Sequence, residues 1–457
     1  MELVSIIKGG DKMQENILGS ERIPKLFIKY SIPAIISMAI TGMQTMVDGM
    51  FVGNVLGPNA MASVNISAPF MQMIIALAMI MSIGSQSYMG LSLGDKNIDK
   101  TQNIFKTAII IILLVGFSIT IFGFTMNKEI AKILGASEIL MNDVSIYIKT
   151  LSIFTVPMCL MFLFGFSGRI IEKPELYFYG SILSLGVNIS LNYILIYKLR
   201  LGIVGAATAT GIAYSSAFLV VVWPMLNKKN VINVFSGKFD KSTIMPVIYN
   251  GSSEGVNAIS TATSAFLFNM AFMNIAGEMG VAAFTAINYV AQFGILLMFG
   301  VSDGIGPIIS YNYGGKDFDR VKLTMKLSDK VLLVMGIGVF TTLFFFGKNL
   351  IMIFVGNNKE ILEIATMGAK IYAFAFFMNG FNIVKSGYFT YIGNAKASVI
   401  VAASRGLIFI FVGIFILPML LGTNGIWLSI PFAEFITILI GFKLTKESNK
   451  VMDKVMI

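Results

Sequence analysis

The sequence contains no histidine and a single cysteine, Cys159, among its 457 residues. These absences exclude an intramolecular disulfide framework, zinc sites built from Cys and His, and any catalytic triad that needs an imidazole base. Charge is scarce as well: Asp, Glu, Lys and Arg make up 13% of the chain, where a soluble domain is nearer a quarter. No GxxxxGK[ST] loop occurs. Gly315-Lys316 is followed by Asp317, and Gly347-Lys348 by Asn349, so the chain carries no phosphate-binding loop of that kind. Residues 1–16 are polar and lack the apolar core of roughly 7–15 residues that a signal peptide needs, so no cleavable leader is expected.

What is present is apolar. Hydrophobic residues form 56% of the chain, and the mean hydropathy is +0.80. A water-exposed surface of that composition would aggregate. A helix needs about 20 mostly apolar residues to cross a bilayer, and polar or Gly-bearing breaks divide the chain into about twelve such runs. They are 29–54, 61–90, 103–125, 139–166, 177–198, 203–226, 244–273, 281–312, 328–347, 364–391, 398–420 and 425–443. Membrane β-barrel strands of about ten alternating residues match these continuous runs poorly. Cys159, inside one of them, reads as a small packed residue.

The net charge of +10 is spread through short loops rather than gathered with aromatics into a nucleic-acid patch. With both ends cytoplasmic, that side collects roughly two dozen Lys and Arg residues and the other about eight. The cytoplasmic set includes Lys8, Lys12, Arg22, Lys96, Lys100, Lys228, Lys229, Lys316, Arg320, Lys446 and Lys450; the opposite set includes Lys128, Lys198, Arg200 and Lys348. A multi-pass protein of the bacterial cytoplasmic membrane, with both termini inside, is the expectation.

The two halves resemble each other at a spacing of about 220 residues. Asn54 and Gly57 recur as Asn274 and Gly277, Gln72 as Gln292, Gly84 as Gly304, and Lys96-x-x-Asp99-Lys100 as Lys316-x-x-Asp319-Arg320. Leu201-Gly202-x-x-Gly205 recurs as Leu421-Gly422-x-x-Gly425. An even number of spans per half makes the repeats parallel, with a central cavity between them. The expected organisation is a segment 1–22, an N-lobe 23–226, a linker 227–243, a C-lobe 244–443 and a tail 444–457, with the segment, linker and tail cytoplasmic. A solute carrier is the usual user of this plan; a membrane scaffold or sensor is the alternative, although the longest loop is only about 17 residues, short of a soluble module.

Ionisable residues within a span are costly and therefore candidates for function. Asp48, Glu254, Asp303, Lys385 and Glu434 fall inside runs. A buried carboxylate can exchange a proton or, with amide and hydroxyl oxygens, ligate Na⁺. The alternative in each case is a structural hydrogen bond, and for Asp303 and Lys385 a mutual ion pair. Glu434 reads as structural, and Arg169 and Arg405 sit near helix ends where they can snorkel. Asn188 and Asn192, four apart, share one helix face, and Thr208 and Thr210 follow on the next helix; interhelical bonding is their bland reading. The 30 Met and 38 Phe residues suit a pocket for apolar cations, although lipid contact and packing account for most of them. Pro33, in the helix of Asp48, can bend it.

Val47-Asp48-Gly49-Met50-Phe51-Val52-Gly53, Pro307-Ile308-Ile309-Ser310-Tyr311-Asn312-Tyr313-Gly314 and Gly425-Ile426-Trp427 resemble signatures of multidrug and toxic compound extrusion (MATE) transporters, closest to the bacterial branch of DNA-damage-inducible and staphylococcal multidrug members. The resemblance spans about residues 20–445. It implies two six-helix lobes and efflux driven by H⁺ or Na⁺. It implies an ion-coupling set at Asp48, Asn188, Asn192 and Thr210, a possible Na⁺ site, with Glu254 early in the seventh helix able to share the role. Many relatives carry Asp where this chain has Asn192, and the helix-10 Asp of Na⁺-coupled relatives is missing, with Lys385 nearby instead. Gln44, Asp303 and Lys385 are candidates for the substrate cavity. The expectation is a cation-coupled antiporter, without cofactor and monomeric, exporting amphipathic and cationic compounds. A flippase for a lipid-linked precursor is the runner-up; it needs more intramembrane cations than Lys385, Lys149 and Lys370.

Overall fold

In a bilayer every backbone N–H and C=O must be satisfied within the chain, so apolar runs of spanning length become helices. The computed structural model describes residues 16–356 and 358–456, and within them nine helices are long and apolar enough to span, or eleven elements if each of two bent pairs is one span. We label them α1 (Ile23–Leu56), α2 (Pro58–Gly94), α3 (Ile98–Thr125), α4 (Met141–Ser152 with Thr155–Gly168), α5 (Glu175–Lys198) and α6 (Gly202–Leu226). The 74-residue helix Lys241–Gly314 would be about 110 Å long if straight, several bilayer cores. It is broken at Gly277 (φ 61°, ψ −156°), which divides it into α7 (241–276) and α8 (278–314) and brings the spans to twelve. Then come α9 (Phe318–Val355), α10 (Lys359–Ala373 with Phe376–Tyr391), α11 (Ala395–Leu421) and α12 (Thr423–Met456). Many large apolar side chains, among them Leu114, Phe117, Ile121, Leu219, Val334 and Phe345, remain more than half exposed, as a lipid-facing surface requires.

The backbone carries the duplication more sharply than the sequence does. Left-handed residues recur in register: Gly57 with Gly277, Lys96 with Lys316 and Gly202 with Gly422, and Gly135 recurs one residue late as Gly356. The α2–α3 turn and the α8–α9 turn are the same object. In one, Asn97 caps α3 by accepting from the Lys100 N–H at 2.9 Å; in the other, Asp317 caps α9 by accepting from the Arg320 N–H at 3.2 Å. Each half also has one bent span, by 51° in α4 and 53° in α10. Both bends were unforeseen, and both fall where the ladder switches to i→i−3 bonds, as in Phe154 N–H to Leu151 O and Ala375 N–H to Tyr372 O.

The halves meet along α1 and α2 against α7 and α8, in the parts of these helices nearest the linker. Gly84 on α2 lies against the Val247 carbonyl of α7, and its repeat partner Gly304 on α8 lies against Ser31 of α1; a Cβ at either would collide. Beyond this contact, towards the opposite face, α1, α2, α7 and α8 carry the exposed Met43, Met46, Met61, Met270, Met273 and Phe293.

The linker is docked rather than loose. The Lys238 N–H donates to Asn103 Oδ1 at 2.7 Å, the Asp240 N–H to Thr107 Oγ1 at 2.9 Å, and Lys106 Nζ to the Val234 carbonyl at 2.9 Å. Asp240 begins the C-half; hydrogen bonds from Ser242 hold its carboxyl below the usual range. The expected tail from 444 is no separate segment: α12 continues through it, and Asp453 accepts from Lys322 of α9 at 2.7 Å. Much of the expected 1–22 segment, with Lys8 and Lys12, lies outside the described residues.

A short helix, Ile17–Ser20, ties the lobes on the linker face. The Ile17 N–H donates to Glu172 Oε1 of the α4–α5 loop at 2.9 Å. On the other side, Arg320 Nη2 donates to the carbonyls of Leu18 and Glu21 at 2.9 and 2.8 Å, and Asn312 Nδ2 to Leu18 O at 2.9 Å. Leu18 is fully buried among Ile23, Leu26, Tyr30 and Ile308. The clasp thus has one end on each lobe.

Candidate functional site

Asp48 lies on α1 four residues before a π-helical stretch, Val52–Leu56, and Asn192 opens another, Asn192–Lys198. Such stretches cost hydrogen-bond geometry and collect at functional sites. The Asp48 carboxylate accepts from Asn188 Nδ2 at 2.8 Å and Asn192 Nδ2 at 2.7 Å on one oxygen, and from Thr210 Oγ1 at 3.3 Å on the other. Asn192 Nδ2 also donates to Asn188 Oδ1 at 3.1 Å. Asn188, Asn192 and Thr210 are all buried. Tyr147 and Tyr214 are close enough to feel the Asp48 charge. No ion pair forms at Asp48 among the described residues.

The donor set therefore consists of one carboxylate and neutral amides and a hydroxyl. The three donors offset part of the cost of burying the charge but leave the net charge in place. The buried Asn192 Oδ1 has no hydrogen-bond partner, so an acceptor stands beside the carboxylate. Amide reversal at Asn188 and Asn192 would face their oxygens towards a bound cation. These are hard oxygen ligands with a single charge, suited to H⁺ or Na⁺ and short of the charge a divalent ion draws. Among the described residues, no group of three or more His, Cys, Asp or Glu could hold a metal.

Gln44 sits one turn before Asp48, 6% exposed, with Oε1 accepting from Ser184 Oγ of α5 at 3.1 Å. It extends the cluster rather than opening onto a cavity. Glu254 is half-buried on α7, 3.5 Å from Asn257 Nδ2, and feels Asp303 and Arg405.

Asp303 and Lys385 do not form the mutual pair that was one expectation for them. Asp303 is buried on α8 at the lobe contact, where its backbone carbonyl accepts from Arg169 Nη1 at 2.9 Å and its carboxylate Oδ2 has no hydrogen-bond partner. Lys385 is 3% exposed; its ammonium lies 4.2 Å from the Phe442 ring centre of α12, and it forms no salt bridge among the described residues. That position is inside the C-lobe, away from the lobe contact.

Arg169 and Arg405 do not snorkel. Arg169 is 1% exposed and packs its guanidinium 4.3 Å from the Phe166 ring centre. Arg405 reaches inward to Glu434 of α12 at 3.0 Å. Glu434, read as structural, is the hub of a C-lobe cluster with Asn379 and Asn382. The signal was available: Asn379 and Asn382 lie three apart on one helix, and two opposite charges fall in neighbouring spans.

The MatE family profile matches the chain twice, at residues 33–194 and 255–416, so the duplication is also a duplication of the family's unit. The chain is 25% identical over 412 residues to multidrug export protein MepA of Staphylococcus haemolyticus, covering 90% of each chain. It is 25% identical to the MepA of Staphylococcus aureus MSSA476 over 415 residues, again 90% of each. Among solved structures, an outward-facing multidrug resistance MATE transporter of the MOP superfamily superposes with a TM-score of 0.87 at 22% identity, covering 94% of this chain and 97% of that one. A MOP superfamily transporter from Pyrococcus furiosus, described as having a binding pocket of reversed polarity, superposes with a TM-score of 0.89 at 20% identity, covering 96% and 98%.

Proposed function

The chain belongs to the MatE family, whose members are transporters and not enzymes, and we propose that it is a cation-coupled antiporter exporting amphipathic, cationic compounds by alternating access of its two lobes. One observation carries the coupling reading: Asp48 is a carboxylate with three neutral hydrogen-bond donors and no paired cation. An entering H⁺ or Na⁺ supplies the missing charge, with Asp48, Asn188, Asn192 and Thr210 as its oxygens. The uncharged cluster prefers a drier, more closed N-lobe. The ion shifts the lobe only by binding that state more tightly. The adjoining π-helical stretches are where α1 and α5 can change register at least cost.

Both termini and the linker face the cytoplasm in this reading, from the Lys and Arg bias of the loops. The clasp at Leu18 and the lobe contact then close the cytoplasmic side, and the exposed Met43, Met46, Met61, Met270 and Met273 face an outward cleft. Thioethers adapt to varied apolar shapes, in keeping with the multidrug export named for the staphylococcal relatives. Glu254, half-buried on α7 and expected to share the coupling role, is assigned to the cationic substrate instead, because Arg405 and Asp303 rather than the Asp48 cluster surround it. The flippase reading is disfavoured because the buried cations do not converge on one cavity: Lys385 lies over Phe442 inside the C-lobe, Arg169 donates to the Asp303 carbonyl at the lobe contact, and Arg405 is paired with Glu434.

The test is efflux of a cationic dye by proteoliposomes, with a pH gradient and a Na⁺ gradient imposed separately. One gradient should drive uphill dye movement and name the ion. Dye movement that responds to neither would overturn coupling.

A further inference from the structure

The C-lobe holds a polar cluster to which transport as read above gives no task. Glu434 Oε1 accepts from Asn379 Nδ2 at 2.7 Å and from Arg405 Nη2 and Nε at 3.0 and 3.3 Å. Its Oε2 accepts from Asn382 Nδ2 at 2.7 Å. Asn379 and Asn382 are 4% and 0% exposed, and the Oδ1 atom of each is buried without a hydrogen-bond partner. Arg405 stands on a π-helical stretch, Ser404–Ile408, and the carbonyl of its neighbour Gly406 accepts from Ser264 Oγ of α7 at 2.7 Å.

Without the guanidinium, this is the chemistry of the Asp48 cluster: one carboxylate, two asparagines on one helix, and a π-helical stretch beside them. The difference is the permanent cation. The Arg405 side chain is 12% exposed against 4% for Glu434, so it caps the carboxylate from the wetter side. A buried carboxylate stripped of its partner is strongly destabilising, and it would draw any small cation able to reach it.

We propose that Glu434, Asn379 and Asn382 form a monovalent-cation site in the C-lobe whose cation is supplied by the chain itself, as Arg405. While the pair is closed, the site takes no ion from solution and the C-lobe adds nothing to coupling. Once the guanidinium is removed, two carboxylate and two amide oxygens remain, hard donors suited to Na⁺ or a proton. The titratable groups facing the cluster are Tyr372 from α10, Arg405 from α11 and, through Arg405, Glu254 from α7. The proposal extends the ion reading from one lobe to the other, and its test uses the Asp48→Asn background so that the N-lobe cannot contribute.

Thermal unfolding of the purified full chain in detergent is followed as NaCl replaces choline chloride at fixed pH, then as pH falls at fixed Na⁺. Asp48→Asn alone should show no Na⁺-dependent shift. Asp48→Asn with Arg405→Gln should gain a melting-temperature rise that grows with Na⁺, or with acid alone if the ion is a proton. Adding Glu434→Gln should abolish that gain. Absence of both shifts in the double variant overturns the proposal, as does their survival in the triple variant. Recovery of the triple variant where the double variant cannot be purified in any salt or at any pH also overturns it, because no free cation then replaces Arg405. A Na⁺ shift persisting in Asp48→Asn alone counts against the Asp48 reading only, since the comparison of double with triple variant still decides the C-lobe site.

Discussion

Asp48→Asn should separate coupling from folding. The change is nearly isosteric and removes one charge. In the native cluster Asp48 accepts from Asn188, Asn192 and Thr210 at 2.8, 2.7 and 3.3 Å. Hydrogen bonds to a charged group contribute about 1.5–3 kcal/mol each and neutral ones about 0.5–1.5, so weakening three costs roughly 3 kcal/mol. Against this, the buried charge no longer needs desolvation, which offsets several kcal/mol. The new amide donor finds an acceptor in Asn192 Oδ1, which lacks a partner in the native cluster. Stability should therefore change by no more than about 1–2 kcal/mol of either sign. Transport should change far more. If one cation exchanges per substrate, a tenfold ion gradient stores about 1.4 kcal/mol and sustains at most a tenfold substrate gradient; without an exchangeable site the sustained ratio falls to one. The assay is dye accumulation in proteoliposomes under an imposed gradient, with dye binding measured separately. Gradient-driven accumulation at the native ratio in Asp48→Asn would refute the assignment of Asp48 as the coupling group.

Three further outcomes follow from the geometry. Glu254→Gln should lower transport of cationic dyes several-fold while leaving neutral substrates less affected; equal transport of both by variant and native protein removes Glu254 from the mechanism. Arg320→Ala breaks two charge-assisted bonds to the Leu18 and Glu21 carbonyls, about 1.5–3 kcal/mol each, and should raise the population open on the linker face. Thiol labelling at a cysteine introduced beside Ile308 in a Cys159→Ala background reads this, and an unchanged labelling rate shows that the clasp does not hold that face shut. Gly277→Ala forces a side chain into a backbone region open essentially to glycine, at about 1–3 kcal/mol, and should lower the melting temperature. Gly338→Ala on α9, with open space at the Cβ position, should be neutral or stabilising, so equal melting temperatures for the two would contradict the role given to Gly277.

Much of the architecture was legible because two strong signals coincide in the sequence. Apolar runs of spanning length leave little choice but helices, and a repeated register fixes how many. The breaks inside runs were less legible. Gly277 separates α7 from α8 with a single residue, where polarity alone predicted a loop from 274 to 280. The bends in α4 and α10 come from local i→i−3 bonding that no composition announces. For the site, the four-residue spacing of Asn188 and Asn192 was readable, and the structure does bring both to Asp48. The partners of Glu434 and Asp303 were not, because pairing across helices depends on rotation about each helix axis, and nearly uniform apolar runs encode that weakly. Snorkelling was the reasonable expectation for Arg405; a carboxylate on the adjacent span overrode it.

The repeat relates the two polar clusters in an instructive way. At a shift of 220, Asp48 corresponds to Phe268, Asn192 to Val412 and Thr210 to Ile430. In the C-lobe that location is filled by an aromatic stack, with Phe268 and Phe284 centred 5.0 Å apart and Phe272 and Trp427 4.4 Å apart. Conversely, Glu434 corresponds to Tyr214 and Arg405 to Leu185, and Tyr214 packs 6.1 Å from Phe162. The two carboxylate clusters are thus offset along the repeat rather than superposed on it. A scaffold duplicated only for packing has no reason to place a carboxylate and two asparagines once in each half and at different locations. A transporter does: an exchangeable charge is useful only if the rest of the cycle does not also depend on ion uptake, and a lobe whose carboxylate already holds an arginine is free of that dependence. On the proposed coupling reading, the asymmetry puts the changing charge on α1, α5 and α6 and makes α10, α11 and α12 the body against which they would move.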